Sequence, residues 1–158
     1  MIRLFASSAV LLAAAPLLLA AAPAVSAPTV SDAWVREAPP GAAAMAGYLT
    51  VTNPTDKAMT LTGGSSPQFR EVQMHEVVEE NGMAHMVQVP KLAVPAKGKL
   101  AFAPGTTHLM LIGPKAPLKP NAPVQLTLTF EGGAKVLVKT AVRPRQAPAA
   151  GEHHEGHH

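Results

Sequence analysis

The chain of 158 residues contains no cysteine. That excludes disulfides, thiolate zinc sites and blue-copper centres, all of which need a cysteine sulfur. It also excludes a lipid anchor on an N-terminal cysteine. Any soft metal ligand must therefore be methionine, of which there are 7. Aromatic residues make up 4% and charged residues 15%. Lys and Arg number 13 against 10 Asp and Glu, with no basic stripe, so nucleic-acid binding finds no support. Helix signals are missing as well: 16 prolines and 12 glycines break the chain into short runs rich in β-branched residues.

What is present starts with an apolar N-terminus, MIRLFASSAVLLAAAPLLLAAAPAVSA. Arg3 gives a positive start, a Leu/Ala run follows, and Val25–Ala27 offers small residues for cleavage. Residues 1–27 read as a secretory signal peptide. The run is long enough to span a membrane, but Pro16, Pro23 and the lack of a basic far flank favour cleavage. The mature chain then holds one domain, residues 28–143, in the periplasm. Residues 144–158, RPRQAPAAGEHHEGHH from Arg143 onward, begin as Pro-rich linker and close on His153, His154, His157 and His158. This tail has no apolar periodicity and reads as flexible. Glu155 and Gly156 interrupt its histidines, unlike an expression tag. A metal-binding tail suits Cu(II), Zn(II) or Ni(II) better than Cu(I), because it lacks methionine.

The middle of the chain predicts strands at 30–36, 45–52, 58–63, 69–78, 83–89, 98–103, 107–113, 124–130 and 135–142. Turn signals separate them, among them Asn53-Pro54, Asn81-Gly82 and Gly132-Gly133. Many short strands imply an all-β sandwich or barrel.

Two stretches carry chemistry. In THLMLIG, His108 and Met110 are two residues apart and share a strand face, while Leu109 and Leu111 point the other way. Asn81-Gly82 predicts a two-residue hairpin turn. Glu80 then opposes Met83, His75 opposes Gln88, and Met86 is the diagonal neighbour of His75. Such diagonals lie about 7–8 Å apart, within reach of long side chains sharing a metal. Val72, Met74 and Val78 take the other face with Val87 and Val89, and that face is expected to be core. Met83 and His85 fall on it too, so they are expected to be buried, and Met45 and Met59 to pack. If the two strand faces meet, two imidazoles and two thioethers converge, a neutral set suited to Cu(I). The plainer alternative is that His108 and Met110 merely pack in a core strand.

MHE at 74–76, Met86 and HLM at 108–110 together give the spacing His-x10-Met-x21-His-x-Met. With AWVR at 33–36, AGYLTVTN at 46–53 and HLMLIG at 108–113, the chain resembles the PCu(A)C family of periplasmic copper chaperones over roughly residues 28–142. The resemblance implies a cupredoxin-like Greek-key β-sandwich of about 8–9 short strands without the blue-copper cysteine. It implies Cu(I) held by His75, Met86, His108 and Met110 at an exposed site. It also implies delivery to the Cu(A) centre in cytochrome c oxidase subunit II, often alongside a Sco-type partner. Where the family has a His-rich extension, it resembles an additional Cu(II)-binding segment.

Catalysis is not expected. HEVVE at 75–79 has Glu79 where the zincin motif needs a second histidine, and Val77-Val78 argue against its helix. There is no G-x-S-x-G elbow and no phosphate loop. Two non-catalytic rivals remain: a general periplasmic copper scavenger for resistance, using the same site without a client, and an Ig-like ligand-binding module whose His and Met residues only pack.

Overall fold

The computed structural model describes residues 27–145. The signal-peptide reading of residues 1–27 and the four tail histidines therefore lie outside the described residues, Ala27 apart. The described residues contain strands and no helix, so none is present that could cross a membrane. Ten strands follow one another: β1 (Thr29–Arg36), β2 (Ala44–Thr52), β3 (Met59–Ser65), β4 (Phe69–Glu80), β5 (Met83–Gln88), β6 (Leu92–Val94), β7 (Lys99–Phe102), β8 (His108–Pro114), β9 (Pro123–Phe130) and β10 (Lys135–Arg143). Nine match the sequence reading. The tenth, β6, is three residues long, too short to show a period of two, and exists because Leu92 and Val94 pair with β3.

The strands do not divide into two hydrogen-bonded sheets, as a simple sandwich would. They form one continuous sheet in the order β5-β4-β8-β2-β1-β10-β9-β3-β6, with β7 beside β2. A bridge between Gly64 of β3 and Val72 of β4 closes seven of them into a barrel. The seam depends on Gly64. A Cβ there would sit 3.0 Å from the Thr127 carbonyl oxygen and 3.4 Å from Val72 Cγ1. A larger residue would push β3 away from one of the two strands it joins.

Alternation sets what goes inside. In β9, Val124, Leu126, Leu128 and Phe130 are buried while the residues between them are not. In β8, Leu109 and Leu111 are fully buried. Val72 and Met74 of β4 point into the same core. Their antiparallel partners across the β4–β8 pair are Leu111 and Leu109.

The hairpin turn at Asn81-Gly82 is formed. Both residues have positive φ, 54° and 73°, the requirement of the two-residue turn that matches strand twist. Glu80 opposes Met83, and the register runs back to His75 opposite Gln88. The expected core face fails along the hairpin, where Val78 and Val87 are exposed. Met83 is 59% exposed and His85 is also exposed, as is the whole of β5. They do lie on the face of Val72 and Met74. However, β8 stops pairing with β4 at His75, so beyond that row the hairpin extends past the barrel with no core behind it. Met45, by contrast, is buried, and Met59 packs against the core as expected.

Asn53 is the one residue besides His108 that is both polar and buried among the described residues. Its amide donates to the carbonyls of Lys57 (2.8 Å) and Pro95 (3.0 Å). Its Oδ1 accepts from the backbone and the hydroxyl of Thr55 (3.0 and 2.8 Å). It thereby ties the β2–β3 loop to the β6–β7 loop. Asn53→Ala should cost about 2–4 kcal/mol, because it strands several buried partners. The readout is a lower urea midpoint with an unchanged slope.

Candidate metal centre

The β4–β8 register puts His75 directly opposite His108 and Gln73 opposite Met110. Opposed residues of an antiparallel pair share a face. His75, His108 and Met110 therefore all lie on the outer face of the barrel, with Leu109 and Leu111 on the inner one. Met86 opposes Val77, two residues beyond His75, so it joins that face from the edge strand β5. The four residues singled out by spacing are thus brought to one face of three adjacent strands. Met83 and His85 are on the opposite face of the hairpin.

Exposure is graded across the set. His108 is 6% exposed and Met86 is 62% exposed, with His75 and Met110 in between. The imidazole centroids of His75 and His108 are 5.7 Å apart, the rings tilted by 49°.

Hydrogen bonds fix which nitrogen of each ring is free. The Gln73 amide nitrogen donates to the Glu71 carboxylate at 2.7 Å, which turns the Gln73 carbonyl oxygen toward His75. That oxygen can only accept, so the His75 Nε2–H donates to it, at 2.9 Å. His75 Nδ1 then carries the lone pair, and it is buried without a hydrogen-bond partner. His108 Nδ1–H donates to the Thr106 carbonyl at 3.3 Å, leaving Nε2 as its free donor atom. Outer groups of this kind orient a metal-binding histidine and raise its basicity. The Glu71–Gln73–His75 relay was missed in the sequence, although the three residues sit at i, i+2 and i+4 of one strand face. Burial, and secondarily the neighbouring His108, lower the pKa of His75 below the ordinary imidazole range. A proton is thereby disfavoured where a lone pair is needed.

The donor chemistry is soft. Among the described residues no group of three or more His, Cys, Asp or Glu is placed to hold a metal ion. Two imidazoles beside thioethers fit copper, Cu(I) in particular, and fit hard cations poorly. Fold and site together define an all-β domain whose outer face gathers two histidines and two methionines.

Comparison with known proteins places this domain. The family model described as LpqE-like matches residues 28–142, and the chain belongs to that family, the PCuAC family of the sequence resemblance. A curated relative, "Putative lipoprotein Lxx21020" of Leifsonia xyli subsp. xyli, is 34% identical over 128 residues, 80% of this chain and 75% of that one. This chain has no cysteine to carry a lipid. Among solved structures, the copper-bound PCuAC domain from PmoF2 is similar at a TM-score of 0.63 and 25% identity, covering 77% of this chain and 97% of that domain. CuI-DR1885 from Deinococcus radiodurans is 32% identical at a TM-score of 0.58, covering 79% and 81%.

In metal-free protein, long-range 1H–15N NMR should find His75 as the Nε2–H tautomer, titrating below ordinary histidines. Gln73→Leu should shift that tautomer balance toward Nδ1–H. The sign for stability follows. Between the ordinary imidazole value and the lower folded value, the unfolded chain takes up a proton that the folded chain resists. Folding stability from His75 is therefore full above that window and falls as pH drops through it.

Proposed function

We infer that the protein is an exported copper chaperone with a cupredoxin-like domain, and that it carries Cu(I) on His75, Met86, His108 and Met110. The carrying observation is the direct opposition of His75 and His108 on a face that also presents Met110 and Met86. Similarity to copper-bound PCuAC domains supports the same reading. The lone pairs would come from His75 Nδ1 and His108 Nε2. Methionine sulfurs complete a neutral set, leaving the bound ion with a single positive charge. No group in the arrangement is suited to a chemical transformation; the activity is binding and delivery.

The graded exposure suits delivery. His108 and Met110 hold the ion from the barrel side, while Met86 stands at the open edge. A client bringing thiolates could replace Met86 first, then Met110, so that copper is never released as a free ion. The client in this reading is the Cu(A) site of cytochrome c oxidase subunit II, loaded directly or with a Sco-type protein. Export follows from the Arg3-led apolar N-terminus. His153, His154, His157 and His158 are assigned to a secondary Cu(II) site.

Met110→Leu separates a ligand from a packing residue. The change conserves volume, so a packing role predicts little effect. A ligand role predicts Cu(I) affinity at least about tenfold weaker, about 1.4 kcal/mol. The measurement is competition with a chromophoric Cu(I) chelator, with Met45→Leu as the core control. Unchanged affinity in Met110→Leu would sink the four-ligand assignment. Tight binding without transfer to an oxidase Cu(A) fragment would leave a scavenger with no such client.

A further inference from the structure

The face that carries the His/Met set continues sideways into a different chemistry. Gly47 of β2 pairs with Leu109 of β8, and one residue further along Tyr48 stands in the row of His108. Tyr48 in turn pairs with Trp34 of β1. Two strand spacings, about 10 Å, separate the His108 position from Trp34 along this row. The Trp34 and Tyr48 rings lie 4.5 Å apart.

Arginines converge on that aromatic pair. Arg36 of β1 is in direct parallel register with Arg143 of β10. The Arg36 guanidinium lies 5.3 Å from the Tyr48 ring centre and 5.9 Å from that of Trp34. The Arg143 guanidinium lies 5.2 Å from the Trp34 ring. Trp34, Arg36 and Arg143, with Arg145, Pro104 and Pro144, line a cavity of 610 Å³ that no carboxylate lines. The ion pairs among the described residues are Lys91–Glu131 and Lys97–Asp56, and neither involves an arginine. Glu37, the next residue after Arg36, spends its Oε2 on the backbone N–H of Arg145.

Like charges directly opposed across a strand pair repel. Stacking on an indole accounts for one guanidinium as packing, but not for two on the same ring with a third at the rim. Guanidinium forks match carboxylates bidentately, and an aromatic floor holds them in place. The cavity wall at Pro104 also begins the loop that leads to His108.

We propose that Arg36, Arg143 and Arg145, set on Trp34, form an oxyanion-binding site that takes the acidic side chains of a protein docked on this face. The identity of that protein as the copper-exchange partner rests on the chaperone reading; anion binding itself does not. The site fixes the partner's orientation while the ion moves between ligand sets about 10 Å away along the same row.

Trp34 is the single tryptophan of the chain, so its fluorescence reports this cavity alone. Copper-free mature protein is titrated with an end-blocked tetraglutamate peptide and, separately, with inorganic phosphate. The expected result is a saturable emission change with the peptide that weakens as salt rises. The double variant Arg36→Gln/Arg143→Gln should bind at least about tenfold more weakly, with Arg36→Lys/Arg143→Lys between it and the native chain. Arg145→Gln, at an exposed position, gives the same test if the double variant fails to fold. No saturable response, or an equal response in the variants, overturns the site. Tighter binding of phosphate than peptide overturns the acidic-protein occupant. A response seen only after residues 146–158 are deleted also overturns it, in favour of the chain's own Glu152 and Glu155. Because no copper is present, failure here leaves the His/Met assignment standing, and a failed Cu(I) titration leaves this site standing.

Discussion

The His/Met cluster depends on one strand register, that of β4 against β8. His75 meets His108 on the outside because Met74 meets Leu109 and Val72 meets Leu111 on the inside. Those inner side chains are buried, three of them at 2% exposure or less. A slip of one residue would exchange the two faces completely. The imidazoles would then enter the core and the leucines would face water. The hydrophobic effect therefore selects which of the hydrogen-bonded registers β4 and β8 adopt, and with it the place of the polar site.

The same pair explains the gradient of exposure. β8 begins at His108, so β4 loses its β8 neighbour at the row of the two histidines. Up to that row β4 is flanked by β8; beyond it, the hairpin carries Met86, Met83 and His85 into solvent. One end of the His/Met set thus lies on a strand paired on both sides and the other on the edge strand β5. Gln73 and Glu71 lie where β8 flanks β4. The orienting hydrogen bonds accordingly act on His75 and leave Met86 unconstrained.

Much of this was legible in the sequence because it rests on short-range rules. Asn81-Gly82 gave the turn, the turn gave the register of β5, and the period of two gave the faces. What escaped rests on contacts distant in sequence. Burial at Met83 and His85 was inferred from the face they share with Met74, but a face is core only where other strands lie behind it. Where β8 stops cannot be read from β4. Closure through Gly64 and Val72 is one bridge between strands that the sequence shows only as neighbours. Barrel closure follows from it, while the sheet itself is made continuous by the parallel pairing of β1 with β10. Gln73 was overlooked because a glutamine on an exposed strand has no chemistry of its own. Its role comes from the two neighbours it links.

The outer face is polarised, and in the proposed chaperone role this bears on how a small domain can be selective. On the β4 side that face carries Glu71 and Glu79, Glu76 and Glu80 falling on the opposite one, and from Glu71 through Pro90 the chain has no lysine or arginine. On the other side of the His/Met row stand Arg36, Arg143 and Arg145. A partner approaching in the right orientation meets attraction at both ends of the row; turned around, it meets like charge at both. Such pairing adds less to affinity than to orientation. Orientation is the scarcer quantity here, since thioethers exchange readily once donor and acceptor ligands are in reach. On the proposed chaperone reading, a domain that releases its ion gains little from holding its partner tightly, and much from holding it the right way round.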